Sequence, residues 1–269
     1  MDHDESPGRP EREGCPVVAY GVARAPLDEV AALRKAPGPP GGPKFPPSML
    51  KHADEQTALA LSAVLHAHAR FGLEGRIGPD WGVVAAPRYL GRLQTMFHID
   101  RYRRQGASTV SPLIIPHLSL HSPSGTVSLA MGLHGPNFGV GGAHGHLAEG
   151  LLSALTLADE GIPGAWLVAT AWDPEPSPDV AKHSLVPVQG YAVALALDYS
   201  GQSGINPVGT LRLNAASAGA GAEADLFGLA RFLDEPIVPG RSSRWLAAIP
   251  GGTIELNRVA SRDIGALAG

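Results

Sequence analysis

The stretch Gly132 to Asp159, GLHGPNFGVGGAHGHLAEGLLSALTLAD, constrains the fold more than any other part of the chain. It opens on turn chemistry: Pro136 fixes φ between Gly135 and Asn137, and a short segment, Phe138 to Val140, leads into Gly141 and Gly142. After Ala143 the pattern becomes helical. Leu147, Leu151, Leu155 and Ala158 recur at spacings of three and four with little charge on the other faces, which predicts a helix packed into a core. Its first turn follows a glycine-rich approach, so its N–H groups and positive dipole end are expected to aim into the interior. An enzyme places a nucleophile or an anion site at such a point. Here the turn carries His144, with His146 two positions on.

Around this stretch, apolar runs alternate with helical patterns. Pro16 to Val22, Trp81 to Ala86 and Ala165 to Ala171 read as buried strands. Gly190 to Asp198 and Val208 to Leu213 read as an antiparallel pair joined by SGQSGINP. Tyr191 to Leu197 is apolar throughout, so something must cover it. Helices are expected at Leu27 to Lys35, His52 to Phe71, Ser124 to Leu133 and Leu226 to Leu233. The longest begins near Asp54 or Thr57 and stops at Gly72. Arg88 to Gly106 reads as a polar, arginine-bearing segment. Ala36 to Pro47 and Asp173 to His183 are loops by composition, and Trp245 to Arg258 reads as a hairpin turning at Pro250-Gly251-Gly252. Strands alternating with helices define a mixed, layered α/β class. Residues 1–14, charged and rich in Pro and Gly, read as a disordered tail. Ala215 to Ala224 reads as a linker.

With 269 residues and 44% hydrophobic against 17% charged side chains, the chain can bury a core and must leave a largely neutral surface, which favours a buried partner interface. A net charge of −4 without a basic run argues against nucleic acid. The single cysteine, Cys15, excludes an internal disulfide and a multi-cysteine zinc site. The chain shows no signal-peptide pattern and no spanning apolar window, so it reads as cytoplasmic with no membrane partner.

The order of these pieces resembles the N-terminal half of a β-ketoacyl synthase of the thiolase fold. The resemblance rests on Val110 to Pro116, Ser124 to Ser128 and Gly132 to Asn137. The family carries a similar proline-flanked run, a helix and a Gly-Pro-Asn turn before its nucleophile elbow. It extends over residues 15–215, leaving 216–269 as a short C-terminal extension. It implies a thiolase-like layered α/β/α fold with a mixed sheet and a buried central helix.

Two departures accompany the match. The family's elbow reads Thr-Ala-Cys-Ser-Ser or close to it; the corresponding run here is Gly142-Ala143-His144-Gly145-His146, which puts His144 at the nucleophile position. An acyl-imidazole hydrolyses readily and is a poor resting carrier, and a helix dipole opposes the imidazolium. The second departure is length. The chain has no room for the family's second half with its two histidines, and no histidine follows His183. Gly251-Gly252-Thr253 resembles the family's closing strand.

The resemblance therefore implies a degenerate, non-catalytic partner or acyl-binding component in fatty-acid or polyketide-type biosynthesis. It would form a homodimer, or a heterodimer with a ketosynthase, and would meet an acyl-carrier protein. The alternative is an acyltransferase, thioesterase or decarboxylase with His144 as base or transient acceptor and His146 beside it. Gly135, Pro136, Asn137, Gly141, Gly142 and Ala143 would form the elbow or acyl-binding loop.

Other readings of single features stay bland. His117, His121, His134, His144 and His146 lack the carboxylate or cysteine company of a metal site, and adjacent ligands at 144 and 146 diverge by about 200° on a helix. The glycines from Gly139 miss dinucleotide-loop spacing, so no cofactor is expected. Ser128, Ser153 and Ser203 sit in no G-x-S-x-G elbow. Arg88, Arg92, Arg101, Arg103 and Arg104 form a basic cluster, read as a solvated face, with contact to an acyl-carrier protein or to coenzyme A phosphates as the alternative. Trp81, Trp166 and Trp172 read as core.

Overall fold

The first apolar run builds β1 (Cys15–Pro26), a strand buried along most of its length because both of its faces are apolar. The computed structural model describes residues 14–46, 48–112, 114–176, 187–215, 223–237 and 243–259. Most of the expected tail at 1–14, most of the 215–224 linker and the end of the 173–183 loop therefore lie outside the described residues. After β1 come α1 (Val30–Leu33), α2 (Glu55–Arg70), β2 (Gly82–Pro87), α3 (Arg92–Gln105), α4 (Ile114–Leu118), α5 (His121–Met131) and β3 (Asn137–Gly139). Then follow α6 (His146–Thr156), β4 (Gly164–Asp173), β5 (Gln189–Asp198), β6 (Gly209–Ala215), α7 (Leu226–Asp234), β7 (Ser243–Ile249) and β8 (Gly252–Arg258).

These strands form one mixed sheet in the order β3-β2-β4-β5-β1-β6-β8-β7. β2 runs parallel to both β3 and β4, with Val84 opposite Phe138 and Leu167. From β4 outward every pairing is antiparallel. The expected β5–β6 pair is corrected here. Both strands exist, but β1 lies between them, pairing with β5 through Tyr20–Leu195 and with β6 through Val17–Gly209. The connection through residues 199–208 is too long to enforce a tight hairpin and steps across the end of β1. The hairpin at Pro250-Gly251 does form, and it carries β7 and β8 onto the sheet beyond β6.

One face of the sheet is covered by α2 and α5. Helix α2 starts where the sequence places it: the Asp54 carboxylate accepts from the Gln56 amide at 2.8 Å. Its Ala-rich face, Ala60, Ala63 and Ala67, lies against β1 at close range. Gly21 makes that approach possible, since a Cβ there would overlap the Ala63 carbonyl oxygen. The other face is covered by α6 over β2 and β4 and by α7 over β5 and β1. Strand β5, Tyr191 to Leu197, is thus enclosed by α2 on one side and α7 on the other.

Helix α7 is fastened at both ends. Asp225 caps its start by accepting from the Phe227 and Gly228 amides at 3.2 and 2.7 Å. At its end the buried Arg258 guanidinium, from β8, donates to the Phe232 carbonyl and to the Glu235 carbonyl at 3.0 Å. The same guanidinium donates to the Tyr20 hydroxyl at 2.7 Å and lies over the Tyr20 and Phe232 rings. A cation at a helix C-terminus also meets the negative end of its dipole. Trp81, Trp166 and Trp172 are all core residues. Among the described residues no helix is long and apolar enough to cross a membrane.

Candidate functional site

The parallel strands β2 and β4 end side by side, and the carboxyl ends of parallel strands are where α/β sheets gather functional groups. Pro136 and Asn137 enter β3 at the other, amino end of β2, so Gly135, Pro136 and Asn137 are not brought together with the elbow: the Pro136 carbonyl accepts from the Val83 amide at 2.8 Å, and Gly135 packs on the Trp81 backbone. The chain then continues along β2 to its carboxyl end. Val140 donates to the Ala85 carbonyl at 2.8 Å, Gly142 to the Pro87 carbonyl at 3.2 Å, and Tyr89 back to the Gly142 carbonyl at 3.0 Å.

The elbow follows. Gly141 and Gly142 take φ of +81° and +98°, and a Cβ on Gly141 would sit 2.8 Å from the His146 Cα. The glycines let the chain fold back so that the first residue of α6 rests on Gly141. Ala143 and His144 are left at the apex, exposed to solvent. The elbow thus faces outward, where the sequence pattern points it into the interior. One face of α6 packs on β2 and β4, while Leu152 and Leu155 on its other side remain half-buried.

His144 packs edge-on against Tyr89, with ring centroids 5.6 Å apart and planes at 89°. The Arg92 guanidinium lies 5.3 Å from the same tyrosine ring. Tyr89 has φ of +51°, an uncommon conformation for a residue with a Cβ, held in place by the hydrogen bond its amide N–H donates to the Gly142 carbonyl. Among the described residues His144 makes no side-chain hydrogen bond. An imidazole acting as a base is oriented by a third group, and among the described residues none is bonded to this one.

Two positions on, His146 points the other way and is only 4% exposed. Its Nε2 is buried without a partner. Burial above all, then the charges of Arg88 and His144, lower its pKa to about 4 against a hydrogen bond to the Ala143 carbonyl. It is therefore a neutral imidazole beneath the elbow.

Arg88 is the polar centre of the site and departs from the solvated face expected for it. It directly follows β2, and its Nε meets Glu175 Oε2 at 3.3 Å, both side chains being largely buried. Its guanidinium also donates to the Trp172 carbonyl and lies 5.3 Å from the Phe227 ring centroid. Its own carbonyl accepts from Gln56 Nε2 at 2.8 Å, while Gln56 Oε1 accepts from Thr170 Oγ1 at 2.7 Å. Burial pushes the Glu175 carboxyl up, against the pull of Arg88 and Arg92.

Gln56, Thr170 and Glu175 were not legible as site residues. The available signal was Thr170, a lone hydroxyl inside an otherwise apolar strand. Arg101, Arg103 and Arg104 do lie on the exposed surface of α3, Arg104 pairing with Asp100 at 3.0 Å. The histidines disperse: His117 pairs with His52, their ring centroids 5.8 Å apart, His121 sits against Ser124, and His146 is beneath the elbow. Among the described residues no three His, Cys, Asp or Glu side chains gather as a metal site.

No protein-family model matches the chain, and no curated protein matches it. Solved structures do. A chain from the complex of a ketosynthase with its chain length factor from Xenorhabdus doucetiae matches with a TM-score of 0.57 at 15% identity, over 92% of this chain and 100% of that one. A β-ketoacyl synthase from Burkholderia phymatum matches with a TM-score of 0.55 at 15% identity, over 81% of this chain and 68% of that one. The fold is therefore the layered, thiolase-like α/β fold of the ketosynthases and chain length factors. At such identities the likeness speaks for architecture, and function has to be argued from the site.

Proposed function

We propose that this protein is a ketosynthase-like subunit without condensing activity of its own. It pairs with a ketosynthase and shapes the acyl-binding cavity of the pair in polyketide- or fatty-acid-type biosynthesis, with an acyl-carrier protein delivering the chain. The observation that carries this reading is the elbow. The residue at its apex, His144, stands where the resemblance places a nucleophile, yet its ring contact is Tyr89, over which Arg92 lies, and among the described residues no group is hydrogen-bonded to it to orient it as a base. Catalysis needs that support.

A surface for the partner lies beside it. β3 is a three-residue strand at the edge of the sheet packed against α5, and α3, α4 and α5 expose Phe97 at 64%, Ile115 at 75% and Leu129 at 75%. An open strand edge flanked by apolar side chains suits an interface.

The test is co-expression with a ketosynthase from the same genome. A one-to-one complex, with condensation of acyl and malonyl thioesters that survives His144→Ala, is the expected result. Thioester turnover by the isolated chain, abolished in His144→Ala, would instead establish a histidine-dependent acyltransferase, thioesterase or decarboxylase.

A further inference from the structure

Away from the elbow, the approach to α2 carries a groove that the proposed subunit role does not use. It is a cavity of about 570 Å³, within the size range of small-molecule sites. Pro37 and Leu50 are buried in its floor and Phe45 is half-buried there. Its rim is cationic: Arg34, Lys35 and Lys51 line it, and among the described residues no carboxylate does. Arg34 and Lys51 also line a second cavity of about 450 Å³ on the α3 side, so the two hollows meet at these cations.

The charge balance at this junction is positive. Arg34 bonds Glu55 at 2.6 Å and the Ala53 carbonyl at 2.9 Å, while its Nε is buried without an acceptor. Glu55 is thereby neutralised. Lys35 and Lys51 are exposed and, among the described residues, meet no carboxylate. The neighbouring buried Asp54 is pushed toward its neutral form by burial and by Glu55, so it adds little negative charge near pH 7.

We propose that this groove binds a small soluble amphiphile carrying a phosphate monoester, with the phosphate among Arg34, Lys35 and Lys51 and the apolar body on Pro37, Phe45 and Leu50. The two lysine charges match a dianion better than a carboxylate, Arg34, although paired with Glu55, adds N–H donors at the same rim, and Arg with Lys is the usual donor set for phosphate. The cations ring a recess, so the ligand enters as a free molecule; a headgroup held in a flat membrane would leave the floor empty.

The experiment is calorimetric titration of the full chain alone, without a ketosynthase, so its outcome is independent of the subunit reading. The probes are octyl phosphate, octanoate and inorganic phosphate, with phosphatidylcholine vesicles containing phosphatidic acid in a parallel sedimentation assay. Octyl phosphate is expected to bind with a dissociation constant on the order of 0.1 mM. Octanoate and inorganic phosphate should each bind at least about 10-fold more weakly.

The double variant Lys35→Glu/Lys51→Glu should weaken octyl phosphate by more than about 10-fold while melting within about 2 °C of the parent, since both side chains are exposed. The control Arg212→Glu/Arg231→Glu makes the same charge change on β6 and α7 and should leave binding unchanged. Equal weakening in both variants would reduce the effect to net charge and overturn the proposal. So would equal binding of octanoate, no binding of octyl phosphate at millimolar concentration, or vesicle binding without octyl phosphate binding.

Discussion

His146, at the start of α6, and Asp54, at the start of α2, are buried on opposite faces of the sheet and titrate with opposite consequences for stability. The His146 pKa is depressed to about 4. The unfolded chain therefore binds its proton more readily between about 6.5 and 4, and stability is lost as pH falls through that window. His146→Leu removes the titration and the orphaned Nε2 together. Its unfolding free energy in urea should fall about 2 kcal/mol less than the parent's between pH 7 and pH 5. Asp54 is raised to about 8, chiefly by burial and then by Glu55. Its contribution is full below the ordinary carboxylate range and is lost as pH climbs toward 8. Between pH 4 and 6.5 the two slopes oppose each other; above 6.5 that of Asp54 stands alone. Asp54→Asn keeps a capping oxygen for the Gln56 amide. It should flatten the decline between pH 6 and pH 8 by up to about 2 kcal/mol, read from the same urea series.

At the scale of elements, the close seat of α2 on β1 is the contact most sensitive to one atom. A methyl on Gly21 would strike the Ala63 carbonyl oxygen, which is backbone and cannot swing aside. Gly21→Ala should cost about 3 kcal/mol, visible as a lowered melting temperature with the site residues untouched. Helix α2 was legible because its boundaries are chemical: Asp54 caps it, and Gly72, at φ of +56°, ends it. Helix α3 was not, because it buries none of its residues. A helix with no buried face has no reason to show an apolar period, so RLQTMFHIDRYRRQ reads as polar chain. Strand partners fared similarly. Periodicity marks β5 and β6 as strands, but nothing local records that β1 lies between them. At the site, the glycines of the elbow announced its turn, whereas Arg88 looked like one more surface arginine. Its burial follows from long-range partners, Glu175 and Trp172, that only the fold brings to it.

On the scale of the whole molecule, the two ends of the sheet are finished differently. Beyond β1 the sheet continues through β6, β8 and β7, and the buried Arg258 ties that extension to the end of α7. At the other end β3 is short and, among the described residues, has no strand on its outer side, and apolar exposure collects on α3, α4 and α5. Phe97, Ile99, Tyr102, Ile115 and Leu129 are exposed on α3, α4 and α5, against Leu213, Leu246 and Val259 elsewhere among the described residues. A chain with only 17% charged residues has few charges with which to keep such a surface apart from a partner. If that surface is the ketosynthase interface proposed above, Phe97→Asp combined with Ile115→Lys should weaken the complex by at least about 100-fold in sedimentation or size-exclusion measurements, since buried apolar anchors dominate interface energy. The variant's own unfolding free energy should shift by no more than about 0.5 kcal/mol, because both side chains are solvent-exposed in the free chain. His144→Ala, at the elbow, should leave the complex intact. Loss of folding in the double variant would mean these residues hold the monomer together, and an unweakened complex would move the interface to another face.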